Sequence, residues 1–96
     1  MAITLCVLLW VKDGQEELFE SYEDKALEIA TRHGGITVSR VRRTEGSEAP
    51  YEVQILQFPS DASLKEFMDD PARSELSEMR ERSIAKTEVI RVNQIA

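Results

Sequence analysis

The sequence predicts an α+β subunit in which helices cover a four-stranded antiparallel sheet, and three observations lead there. One long amphipathic helix, opened by Asp13 and closed by Arg32-His33-Gly34-Gly35, joins an aliphatic strand to a more polar one. A short connection then folds two strands into a hairpin, and a second helical unit leads into a last strand.

Ile3 to Val11 is the first strand. Ile3, Leu5, Val7, Leu9 and Val11 form an aliphatic face, while Thr4, Cys6, Leu8 and Trp10 form a mixed but mostly apolar one, so both faces are covered and the strand is central. A chain of 96 residues covers one face of a sheet with its own helices. Covering the second takes another subunit, which predicts a homodimer.

Asp13 stands where an N-cap belongs, and Glu16 completes a capping box. Glu16, Glu17 and Glu20 put negative charge at the positive end of the helix dipole. Leu18, Phe19, Tyr22, Ala26, Ile29, Ala30 and His33 recur at helical spacing as the apolar stripe, with Glu20, Glu23, Asp24 and Glu28 largely off it. Glu28 and Arg32 form an i, i+4 pair, and Gly34 supplies a left-handed cap.

Ile36 to Arg43 reads as an edge strand, Thr44 to Pro50 as a loop, and Tyr51 to Phe58 as the third strand. Arg40, Arg42 and Arg43, followed by Glu45, Glu48 and Glu52, read as a locally neutralised hairpin rather than an anion site. Phe58-Pro59-Ser60 stops the strand and caps a helix over Asp61 to Asp69. Asp70-Pro71 opens a further helical segment to about Arg82, the two forming one bent unit, and Lys86 to Ile95 is the fourth strand. Strand, helix, strand, strand, helix, strand is the ferredoxin-like βαββαβ order, with the first and third strands central.

Composition narrows the function. A net charge of −6 repels phosphate backbones, so nucleic acid is not an expected partner. The longest apolar run, Leu5 to Val11, is far short of a membrane span. No leader pattern precedes it and the lone cysteine, Cys6, sits in an apolar strand, which predicts one cytoplasmic domain over residues 1–96 with no disulfide. One histidine and one cysteine offer no metal site.

Several features, in their order and spacing, carry a resemblance over nearly the whole chain. They are the first strand and helix with Phe19 and Tyr22, the Arg32-His33-Gly34-Gly35 helix end, Phe58-Pro59-Ser60, and Asp70-Pro71 leading to Leu76 and Arg80. The chain resembles the small dimeric alpha–beta barrel superfamily, and within it a bacterial family described as a domain of unknown function. The resemblance implies two ferredoxin-like subunits whose sheets form a shared barrel, and a pocket between each sheet and its own helices. It also implies kinship with cofactor-independent monooxygenases, haem-degrading enzymes, muconolactone isomerases and polyketide cyclases, among which fold alone does not choose. The haem-degrading branch uses a strand-one asparagine and a histidine on the second helical unit. This chain has neither, and no cofactor is expected.

Four residues are candidates for binding a substrate. His33 reads either as a general base facing a pocket or as a helix-end residue that favours the dipole, and the second reading is preferred. Tyr22 offers a ring to pack and a hydroxyl that needs a partner when buried, and it reads as a pocket residue or as plain core. Eleven residues on one helix separate Tyr22 from His33 by about 16 Å, so they cannot share a reacting atom. Trp10 has the parity of the barrel interior and reads there as a ligand contact or as filler. Arg80 reads as a contact for an anionic ligand or as a solvated helix charge, the reading also given to Arg73 and Arg82. Asp69-Asp70 and Glu16-Glu17 are adjacent pairs that do not share a helix face, so neither makes a carboxylate dyad. The leading expectation is a small-molecule-binding protein or cofactor-independent enzyme, monooxygenase- or isomerase-like, acting on a small, partly aromatic metabolite. The alternative is a non-catalytic homodimer serving regulation or assembly, so whether the chain is an enzyme stays open at this point.

Overall fold

The computed structural model describes residues 2–96. The chain runs β1 (Ile3–Val11), α1 (Glu16–Arg32), β2 (Ile36–Arg42), β3 (Glu52–Phe58), α2 (Asp61–Asp69), α3 (Pro71–Ser74), α4 (Ser77–Ser83) and β4 (Ile84–Arg91). Its strands form one antiparallel sheet in the order β2-β3-β1-β4. The central and edge strands are therefore those the element order predicts, and the architecture is ferredoxin-like α+β.

Alternation along β1 divides the sheet into two unlike faces. Leu5, Val7 and Leu9 are buried with Phe19, Tyr22, Ala26, Ile29 and Ala30 of α1, Leu56 and Phe58 of β3, Phe67 of α2 and Ile84. On the other face Cys6 stands opposite Ile55 and Ile90, and Leu8 opposite Val53. Cys6, Leu8 and Trp10 are only half-buried there, and Ile36, Val41 and Ile90 are exposed. The Cα envelope is 16 Å in its thinnest direction, the depth of one helix layer on one sheet.

The end of α1 shows why the sequence stops the helix where it does. Gly34 adopts φ 80°, and its amide donates to Thr31 O while that of Gly35 donates to Ala30 O. These two bonds make a Schellman cap, which meets two orphan carbonyls of the last turn. A Cβ on Gly34 would meet Pro59 Cγ at 2.7 Å, so the cap is also where α1 rests on the β3–α2 corner. Ser60 Oγ accepts from the Ser63 amide and Asp70 Oδ1 from the Ala72 amide, the two N-caps expected of those residues.

Some boundaries differ from the sequence expectation. The N-cap of α1 is Gln15 rather than Asp13, with no side-chain cap bond, because the Lys12 amide is bonded to Ser83 O and the chain must turn through Asp13 and Gly14 (φ 79°) before a helix can start. The segment after Pro71 is two short helices, α3 and α4, parted at Glu75 and Leu76. Strand β4 begins at Ile84 and ends at Arg91, earlier than the expected Lys86 to Ile95, since β1 offers partners only over its own length.

Candidate functional site

Between the helix-covered face of the sheet and the helices lies a cavity of about 290 Å³. Its walls are mostly aliphatic and aromatic: Leu5, Val7 and Leu9 of β1, Leu56 and Phe58 of β3, and Phe67 of α2. Exposed Met68 and Val89 stand at its rim, so it opens between α2 and the β4 edge. Six polar residues reach it, namely Tyr22, Glu23, Gln54, Arg73, Arg80 and Thr87.

Helix α1 delivers Tyr22 and Glu23 side by side, and both are almost wholly buried. Glu23 thus lies inside, contrary to its expected place off the stripe. It follows Phe19 by four residues and precedes Ala26 by three, so its spacing places it with the buried side chains; its charge alone argued for solvent. Burial raises its carboxyl above the ordinary carboxylate range. The hydrogen bond from Gln54 opposes that shift, the charge of Glu52 adds to it, and Arg40 and Arg73 oppose it. Burial also raises the Tyr22 phenol, Glu23 adding to the effect and Arg73 and Arg80 pulling against it.

A line of hydrogen bonds supports Glu23 from behind. Gln54 Nε2 donates to Glu23 Oε1 at 2.9 Å and to Glu52 Oε2 at 2.6 Å. Glu52, with no exposure, accepts from Arg40 Nε at 2.7 Å and from Arg42 Nε at 2.8 Å. Those arginines also reach Asp24 and Glu20 on α1. The neutralised hairpin is therefore real for Glu52, but its other acidic partners come from the helix and not from Glu45 and Glu48. The reason is parity, because Arg40 pairs opposite Gln54 and Arg42 opposite Glu52, which puts both arginines on the helix side.

Of the four residues predicted from sequence, the cavity brings two together, Tyr22 and Arg80. Arg80 is half-buried, with Nη2 bonded to Thr87 Oγ1 at 3.3 Å, and not a freely solvated helix charge. Arg73 likewise turns inward, its guanidinium 5.2 Å from the Phe67 ring centre, whereas Arg82 stays exposed beside Glu78. His33 stands away from the cavity: it ends α1, and its Nε2 lies 2.7 Å from Asp70 Oδ2, so it ties the helix end to the cap of α3. The hydrogen bond from His33 is the main reason that the Asp70 carboxyl is held below its ordinary range. Trp10 is on the opposite face of the sheet, with Lys86 over its ring at 4.7 Å and its Nε1 donating to Glu48 O.

Glu23, Gln54 and Arg73 complete the site without having been singled out. Gln54 had a signal, since it shares parity with Leu56 and Phe58 on β3. Arg73 had none. Among the described residues no group of acidic, histidine or cysteine side chains is arranged to hold a metal ion, and no helix is long and apolar enough to cross a membrane.

Three solved structures place this geometry among known folds. The RPA0582 protein of Rhodopseudomonas palustris, described as of unknown function, is 20% identical with a TM-score of 0.80, the match covering 99% of this chain and 83% of that one. A candidate antibiotic biosynthesis monooxygenase from Bacteroides thetaiotaomicron is 17% identical with a TM-score of 0.78, covering 99% and 90%. A protein from Bacteroides fragilis described as dimeric, of unknown function and ferredoxin-like in fold is 8% identical with a TM-score of 0.71, covering 97% and 96%. At these identities the likeness is one of fold. No curated protein matches the sequence. The sequence model of the family described as a domain of unknown function, DUF1330, matches residues 7–95, and the chain belongs to that family.

Proposed function

We propose that the cavity beside Tyr22 is the binding site for a compact, partly aromatic metabolite, and that the chain works as a cytoplasmic homodimer closed through the helix-free face of its sheet. The observation that carries this reading is the cavity itself. Its volume of about 290 Å³ lies at the lower edge of the range for ligand pockets, and it joins an apolar wall to a few convergent polar groups. A protein serving only as an assembly unit would be expected to fill this space with side chains.

Tyr22 and Glu23 favour isomerase-like proton transfer without a cofactor. A carboxyl made more basic by burial takes a proton from a carbon acid and returns it at another position, while the Tyr22 hydroxyl donates to the oxygen on which charge develops. One similar structure is described as a monooxygenase candidate, which supports small-molecule chemistry on this fold. The exposed Val41 and Ile90, with half-buried Cys6, Leu8 and Trp10, support the dimer.

The test is a thermal-shift screen against a broad panel of small metabolites. At least one ligand raises the melting temperature of the protein, and Tyr22→Phe diminishes that rise. No shift with any compound would sink the ligand-site reading. Light scattering at micromolar concentration yields twice the chain mass of 10.9 kDa; a particle of the single-chain mass would overturn the dimer.

A further inference from the structure

We infer that this cavity takes a small organic carboxylate, its anionic end held by Arg73 and Arg80 and its apolar body lying against Phe58 and Phe67. The inference rests on the reading of the cavity as a ligand site and adds the chemical class of the ligand.

Its basis is the pairing of the arginines. In a chain of net charge −6, Arg32, Arg40, Arg42, Arg82 and Arg91 each stand within 4.0 Å of a carboxylate, and Arg43, exposed to water, donates to Ala49 O. Arg73 and Arg80 line the cavity, and among the described residues neither makes an ion pair. Carboxylates are abundant in this chain, so two half-buried guanidiniums left without one mark a place kept for an anion from outside.

The geometry of Arg73 strengthens the case. Its Nε is buried with no hydrogen-bond partner, as is one Nη of Arg40, but Arg40 is held by Glu52 and Asp24 whereas Arg73 has no carboxylate beside it among the described residues. The packing of its guanidinium against Phe67 steadies the group without using any N–H, leaving the edge formed by its two Nη groups available for the oxygens of a carboxylate. Arg80 donates one N–H to Thr87 at 3.3 Å and also stands in hydrogen-bonding reach of the Tyr22 hydroxyl, which places its guanidinium beside the residue at the middle of the cavity. The remaining wall is apolar, which suits a carboxylate carrying a hydrocarbon or aromatic body. Glu23, the acidic residue lining the cavity, belongs to α1 and is engaged by the Gln54 amide.

Isothermal titration calorimetry with matched acid–amide pairs tests this at neutral pH: benzoate and benzamide, phenylacetate and phenylacetamide, cinnamate and cinnamamide, with phenyl phosphate alongside. At least one acid is expected to bind about tenfold or more tightly than its amide, the preference that a bidentate charged contact confers. Replacing both arginines, Arg73→Gln with Arg80→Gln, is expected to abolish that ratio, folding being checked by circular dichroism. An amide that binds as well as its acid, a preference for phenyl phosphate, or an acid preference that survives in the folded double variant would overturn the carboxylate assignment and leave the ligand site standing. Binding of none of these compounds would count against both. The acid-to-amide ratio on the unaltered protein decides the question even if the double variant does not fold.

Discussion

Gln54 Nε2 donates to Glu23 Oε1 at 2.9 Å, joining the middle of β3 to the middle of α1 beside the cavity. Both side chains are at least 94% buried, so neither exchanges its partner for water. Gln54→Leu keeps the volume and removes the donor. We expect a loss of about 2 kcal/mol or more in unfolding free energy by urea titration, because a buried acceptor is left unmet. A loss under about 0.5 kcal/mol would mean that the bond merely replaces an equivalent one to water.

The raised Glu23 carboxyl makes stability fall as pH rises. In the window between the ordinary value of 4.5 and the higher value in the folded state, the native protein holds a proton that the unfolded chain has released. Unfolding free energy therefore declines across that window and is greatest below it, for this group's share. The groups bearing on it are Glu52, which deepens the effect, and Gln54, Arg40 and Arg73, which reduce it. Glu23→Gln stays neutral throughout, so its melting temperature is expected to fall less than that of the parent as pH rises through this window. Parallel profiles for the two proteins would rule out this assignment.

Glu52 carries the opposite risk. It has no exposure, and two guanidiniums and an amide converge on its oxygens. Glu52→Ala leaves Arg40 and Arg42 only their more exposed partners Asp24 and Glu20, and about 3 kcal/mol of stability should be lost, the lower part of the range for breaking a buried pair because both arginines keep those contacts and reach solvent. Calorimetric unfolding measures it. The matched loss in Arg40→Ala should be smaller, since Glu52 keeps Arg42.

Gly34→Ala examines the end of α1. The backbone there is left-handed, which costs a residue with a Cβ about 1–2 kcal/mol, and the new atom would meet Pro59 Cγ at 2.7 Å. Stability should drop by at least that amount in chemical denaturation, with the ligand response retained in the fraction that folds. A neutral substitution would show that the α1–β2 corner adjusts freely.

The local pattern of the sequence determined the strands, the end of α1 and the two caps at Ser60 and Asp70. Each depends on neighbours in the chain: alternation along Ile3 to Val11, a glycine pair that can turn left, and side chains that bond an amide two or three residues on. Tyr22 was legible for the same reason, since its place on the stripe follows from the 3.6-residue period. Only the tertiary structure decided that Glu23 is buried, that Arg73 and Arg80 turn inward, and that His33 goes to Asp70. The burial of a charge depends on a partner that arrives from far along the chain, here Gln54 of β3, and local pattern cannot announce it. The inward turn of the arginines depends on how the α2–α4 unit folds back over the sheet. That packing joins Tyr22 and Glu23 from one helix to Arg73 and Arg80 from another part of the chain around a single apolar cavity.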